Sequence, residues 1–138
     1  MKHLALAAVA ASAALFPMTA DAWRALNRHE VYPLSNGAFE VVSEVGSGAQ
    51  DFWCGAGDFA YRGLGAASAQ RVYISRAIGP SVAKPGYKAV QFSLVAPQGA
   101  GTDPALTLSV RDVGDNMRAA AAQQYCFDNA RPDRRFFP

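Results

Sequence analysis

The chain has 138 residues, 51% of them hydrophobic, and a formal net charge of +2. That length suits one domain with a real core, and the aromatic content excludes a disordered chain. A small net charge with its positives spread over several segments argues against nucleic-acid binding.

The first element is an export signal. Lys2 and His3 precede an unbroken small and apolar run from Leu4 to Phe16, and Ala20-Asp21-Ala22 gives the small-x-small pattern of a signal-peptidase site. The run falls short of the ~20 residues that a membrane-crossing helix needs. The reading is a signal peptide over residues 1–22, cleaved to leave a single domain over 23–138 that starts at Trp23. A lipoprotein would carry cysteine there, so no anchor is expected, and the compartment is periplasmic or extracellular.

His29 to Leu34 and Ala38 to Val45 are predicted strands, and Pro33 places the first at an edge. Ser35-Asn36-Gly37 between them is a hairpin turn, because Asn and Gly accept positive φ. Phe39, Val41 and Val45 share one parity and Glu40 and Glu44 the other, as in a sheet with one wet face. Asp51 is a candidate N-cap for a helix from Phe52 to about Leu64, where Phe52, Ala56 and Phe59 recur at helical spacing. Gly55 and Gly57 weaken that helix by roughly 1 kcal/mol each, so packing must hold it. Cys54, Asp58 and Arg62 fall on its more polar side at i, i+4 spacing, and whatever carries Cys126 must approach that side. Arg71 to Ile78, Lys88 to Ala96 and Ala105 to Arg111 read as three further strands pairing in sequence order. Asp115 is a candidate cap for a short alanine-rich helix running to about Gln124, and the tail from about residue 128 is expected to fray.

Cys54 and Cys126 are the only cysteines. An even count in an exported chain points to a disulfide, which would join the two helices. The predicted class is therefore α+β: a small antiparallel sheet of about five strands (a hairpin, a helix, then a three-stranded meander) covered by one helix, with a short C-terminal helix tied on by the disulfide.

Chemistry is sparse. Gly55-Ala56-Gly57-Asp58-Phe59-Ala60 matches G-x-G-x-x-A formally, but the glycines follow Asp51-Phe52-Trp53-Cys54 instead of an apolar strand. No acid lies between Asp58 and Asp103 to serve a ribose, so no dinucleotide site is expected. His29-Glu30 lacks the second histidine of a zinc helix, and Glu40 and Glu44 stand ~13 Å apart along one strand, too far for a glycosidase pair. No metal, cofactor or catalytic residue is expected. Between Phe59 and Thr102 there is no acid, while Arg62, Arg71, Arg76, Lys84 and Lys88 are basic. Strand parity puts Arg71 and Tyr73 on one face with Gln91 and Ser93, and Arg111 on the corresponding face of the third strand. The expectation is a non-enzymatic module, binding or structural, whose ligand face of Arg71, Tyr73 and Arg111 meets anionic envelope material. The alternative is a small envelope hydrolase using His29 with a carboxylate.

Overall fold

The computed structural model describes residues 21–101 and 108–128. Most of the expected signal peptide (residues 1–20) and the expected frayed tail from residue 129 lie outside them. The elements run β1 (Trp23–Arg24), β2 (Glu30–Pro33), β3 (Phe39–Val42), α1 (Ala49–Asp58), β4 (Arg71–Pro80), β5 (Lys88–Ser93), β6 (Asn116–Arg118) and α2 (Ala119–Asp128). A π-helical turn, Phe59–Gly63, extends α1. All pairings are antiparallel, in the order β1-β2-β3-β5-β4-β6. The α+β class, the sheet, and the terminal helix fixed to α1 by the Cys54–Cys126 disulfide agree with the sequence reading.

Alternation decides the inner face. Val31, Phe39, Val41, Val72, Ile74, Val90 and Phe92 point to α1 and are almost wholly buried. The Phe39 ring lies 4.8 Å from Phe59 and 6.1 Å from Phe92, and Trp53 meets Phe92 edge-on at 5.1 Å. Such offset and edge contacts add to area burial because ring quadrupoles favour them. At the β2–β3 turn Gly37 takes φ +82°, the left-handed conformation that the Asn-Gly signal required.

The glycines of α1 are explained by close approach. A Cβ on Gly55 would lie 2.7 Å from Val41 Cγ1, and one on Gly57 would lie 2.4 Å from the Gln123 backbone nitrogen and 2.5 Å from Ala122 Cβ. Gly55 lets the helix sit down on the sheet, and Gly57 lets α2 lie against α1. The G-x-G pattern is a packing device.

Four expectations change. The helix starts earlier, with Gly48 as N-cap and Asp51 in its first turn, accepting the Gly48 N–H at 2.8 Å. The expected strand Ala105–Arg111 lies partly outside the described residues, and Leu108–Arg111 is not a strand. Instead Val110 is buried in the core and its carbonyl accepts the Ile78 N–H, while the Trp53 indole N–H holds the Ser109 carbonyl. The last strand is Asn116–Arg118, beside β4 and not β5, because Met117 opposite Val72 buries its side chain against the core. That shifts the terminal helix from Asp115–Gln124 to Ala119–Asp128. Finally, Glu40 is not on a wet face. It is completely buried.

The helix contact gives a test. Gly57→Val should destabilise the fold by about 1–3 kcal/mol through overpacking, read by urea unfolding. Stabilisation instead would mean that α1 and α2 are not in contact at this position.

Candidate functional site

The outer sheet face, away from α1, has three regions. The first is organised by Glu40. Its carboxylate accepts hydrogen bonds from the Ser81 hydroxyl, from the Ala83 and Val82 N–H groups (2.7 and 3.2 Å) and from the Gln91 amide (3.4 Å). The β4–β5 loop has thus folded back across the sheet to cover the acid. Lys84 from the same loop pairs with Glu30 at 2.8 Å, and Glu30 also accepts from the Tyr32 hydroxyl. Burial alone would raise the Glu40 pKa, but the bonds from Ser81, Ala83, Val82 and Gln91 outweigh it and hold the carboxyl below its ordinary value.

The second region is the end of the sheet where β4 meets β6. Arg71 stands directly opposite Arg118, and Tyr73 opposite Asn116. Since Val72 and Met117 point inward, these four share the outer face. Arg71 donates to Asn116 Oδ1 at 2.6 Å, and the Asn116 amide group in turn donates to the carbonyls of Gly101 and Gly114. Asn116 is nearly inaccessible, so its orientation is fixed and with it that of Arg71. Among the described residues neither arginine has a carboxylate partner. Like charges directly opposite on paired strands repel.

The third is a cleft of about 410 Å³ lined by Asn36, Gly37, Ala38, Ser75, Gln91, Ser93, Val95 and Pro97. Ser75 falls at a register shift between Ile74 and Arg76, which pair with consecutive residues of β5. Such a bulge re-aims a side chain. The Ser75 hydroxyl is buried and has no hydrogen-bond partner among the described residues.

Of the expected ligand face, Arg71 and Tyr73 do lie together, although Tyr73 is 9% exposed and forms floor more than surface. Arg111 is elsewhere. It lines a hollow of about 300 Å³ beside the start of α1, with Ser47, Phe52 and Ile78. The residue that stands opposite Arg71 on this face is Arg118, which the sequence reading placed in the terminal helix.

His29 is buried, with its ring edge-on to Phe52 and its Nε2 2.7 Å from Ser47 Oγ. That Oγ lies 2.8 Å from both the N–H and the carbonyl of Glu44. A carbonyl can only accept, so the hydroxyl proton goes to it, and Ser47 accepts from Glu44 N–H and from His29 Nε2–H. The pair braces the loop before α1, and the serine proton is not offered to the imidazole. Among the described residues no carboxylate bonds to the His29 ring.

On the helix side, Asp58 is fully buried and accepts from Leu26 N–H (2.9 Å), Gln123 Nε2 (3.0 Å) and both Nε and Nη2 of Arg62 (2.5 and 2.6 Å). Burial pushes its pKa up, and the bonds from Arg62, Gln123 and Leu26 more than reverse this. The Arg62 guanidinium also lies 5.2 Å from the centre of the Trp23 ring. No cluster of His, Cys, Asp and Glu able to hold a metal occurs among the described residues.

Scans against protein-family models, curated proteins and solved structures find no match to this chain.

The lowered Glu40 and Asp58 pKa values have a defined pH consequence. Each contributes stability above its unfolded-state pKa of about 4, and that stability is lost as pH falls through the lower folded value. Glu40→Gln should therefore cost about 2 kcal/mol at neutral pH, and the gap from wild type should close in acid. Urea titrations of both proteins across the acid range check this. A gap independent of pH would show that the charge of Glu40 is not what holds the loop.

Proposed function

We propose that the protein is an exported, non-enzymatic binding module that takes an anionic group on its outer sheet face, between Arg71 and Arg118. The observation that carries the reading is that cross-strand arginine pair, oriented by Asn116 and without a carboxylate partner among the described residues. Guanidinium forks match the paired oxygens of carboxylate, phosphate and sulfate groups. Export is supported by the amino-terminal pattern around Ala20-Asp21-Ala22, by the disulfide, and by the lack of any described helix long and apolar enough to cross a membrane. Trp23, the first residue after the expected cleavage, pairs with Val31 and packs on Phe59 at 5.3 Å, so the mature chain would begin inside the fold.

Two measurements test this. Intact mass of the protein recovered from the native envelope should correspond to a chain starting at Trp23, and retention of residues 1–22 would overturn cleavage. Arg71→Ala/Arg118→Ala should lose at least tenfold in affinity for acidic polysaccharide or anionic vesicles, while Arg111→Ala binds as wild type does. Wild-type binding should weaken with salt, since exposed charges are screened over ~10 Å at 0.1 M. The double variant should stay folded but lose about 1 kcal/mol of stability, because relief of the facing charges only partly offsets the loss of the Arg71 donor to buried Asn116, which a thermal melt checks. Unchanged binding by the double variant would defeat the reading.

A further inference from the structure

Resting on that reading, we propose that the anionic ligand is an acidic glycan, with a charged sugar at Arg71 and Arg118 and a neighbouring ring entering the cleft at Ser75.

The cleft has the chemistry of a sugar subsite. Among the described residues its lining carries no charged side chain. Its polar groups are the hydroxyls of Ser75 and Ser93 and the amides of Asn36 and Gln91, which suit ligand hydroxyls that both donate and accept. Gln91 turns its amide nitrogen toward the buried Glu40, which leaves the amide oxygen as the acceptor for a ligand. Val95 and Pro97 form an apolar wall for the C–H side of a ring. The buried Ser75 hydroxyl has no partner among the described residues. Leaving such a group unmet costs free energy that a ligand hydroxyl recovers.

The two sites belong to one surface. Arg71 and Ser75 lie on one strand, four positions apart, or about 13 Å. Between them stands Tyr73, whose partner across the sheet is Ser93, a lining residue of the cleft. The charged site and the hydroxyl site are thus neighbours on one face, and the cleft's uncharged polar groups beside an apolar wall favour a sugar ring there over a lipid headgroup. An oligosaccharide of acidic sugars spans them.

The experiment measures binding of the oxidised mature protein to hexuronate monosaccharides, hexuronate trisaccharides, matched neutral trisaccharides and phosphatidylglycerol vesicles at low salt. Wild type should prefer the acidic trisaccharides over every other probe. Ser75→Ala should weaken trisaccharide binding by about tenfold, the loss of one good hydrogen bond, and leave monosaccharide binding and melting temperature unchanged. Arg118→Ala should abolish both. If Ser75→Ala binds the trisaccharides as wild type does while Arg118→Ala does not, the sugar subsite is wrong and the anion site stands. Binding to vesicles without binding to glycans likewise overturns the sugar subsite, and gives the anion site to a membrane surface. No binding to any probe, or full binding by Arg118→Ala, removes both proposals.

Discussion

The fold depends on a carboxylate placed where there is no water to solvate it. Asp58 is one helical turn beyond Cys54, on the side of α1 that faces α2, and its oxygens join three separate segments: the chain leading into β2 through Leu26, α1 through Arg62, and α2 through Gln123. A buried carboxylate is tolerated only when its lone pairs are filled by good donors. The burial of Asp58 therefore requires all three segments to be in place together. Gly57, the residue before it, makes the approach short enough for the Gln123 amide to reach, and the disulfide holds the same two helices one turn away. Closing a separation of 72 residues limits the unfolded chain by an amount worth about 4 kcal/mol in the loop-entropy picture. Covalent, ionic and steric constraints thus coincide over two turns of one helix.

The other side of the sheet repeats the logic with different donors. Glu40 has no cation in contact among the described residues, and backbone N–H groups of Val82 and Ala83, with the Ser81 hydroxyl, do what Arg62 does for Asp58. A single sheet layer is tied on each face by one buried acid, inward to the helices through Asp58 and outward to the β4–β5 loop through Glu40. The consequence for binding is that Gln91 is held from behind by Glu40 and Arg71 from the side by Asn116. The groups proposed to meet ligand have fixed orientations before a ligand arrives, which lowers the entropy lost on binding.

The helical side of this arrangement is legible in the sequence. Cys54, Asp58 and Arg62 at i, i+4 spacing mark the face that Cys126 must approach, and the chain contains no other cysteine to confuse the pairing. The Asn36-Gly37 turn is likewise local chemistry. Glu40 is not legible, because period-two alternation separates the faces of a strand and says nothing of a distant loop that folds back over one of them. The strand Asn116–Arg118 is hidden for another reason. Three residues are too few to show alternation, and the alanines that follow carry a helical preference strong enough to absorb them in a sequence reading. Reading them as helix turns Arg118 into a helix residue and leaves Arg111, on a third strand, as the only other arginine assigned to the face of Arg71. The bulge at Ser75 also escapes, since a register shift depends on the partner strand.

The arginine pair shows what this rigidity makes possible. Two facing like charges on an antiparallel pair cost roughly 0.2–1 kcal/mol, and a marginal domain would escape the cost by fraying the short edge strand that carries one of them. β6 cannot fray easily. Its Met117 is packed on the core, its Asn116 is bonded on three sides, and its last residue runs directly into α2, which the disulfide and Gln123 fix to α1. The strain of the paired charges therefore stays at the surface and is not relieved by local unfolding, which is the condition the proposed anion site requires. Constraints gathered around Asp58 on one side of the molecule are in this way what keep on the other an arginine pair that has no carboxylate partner among the described residues.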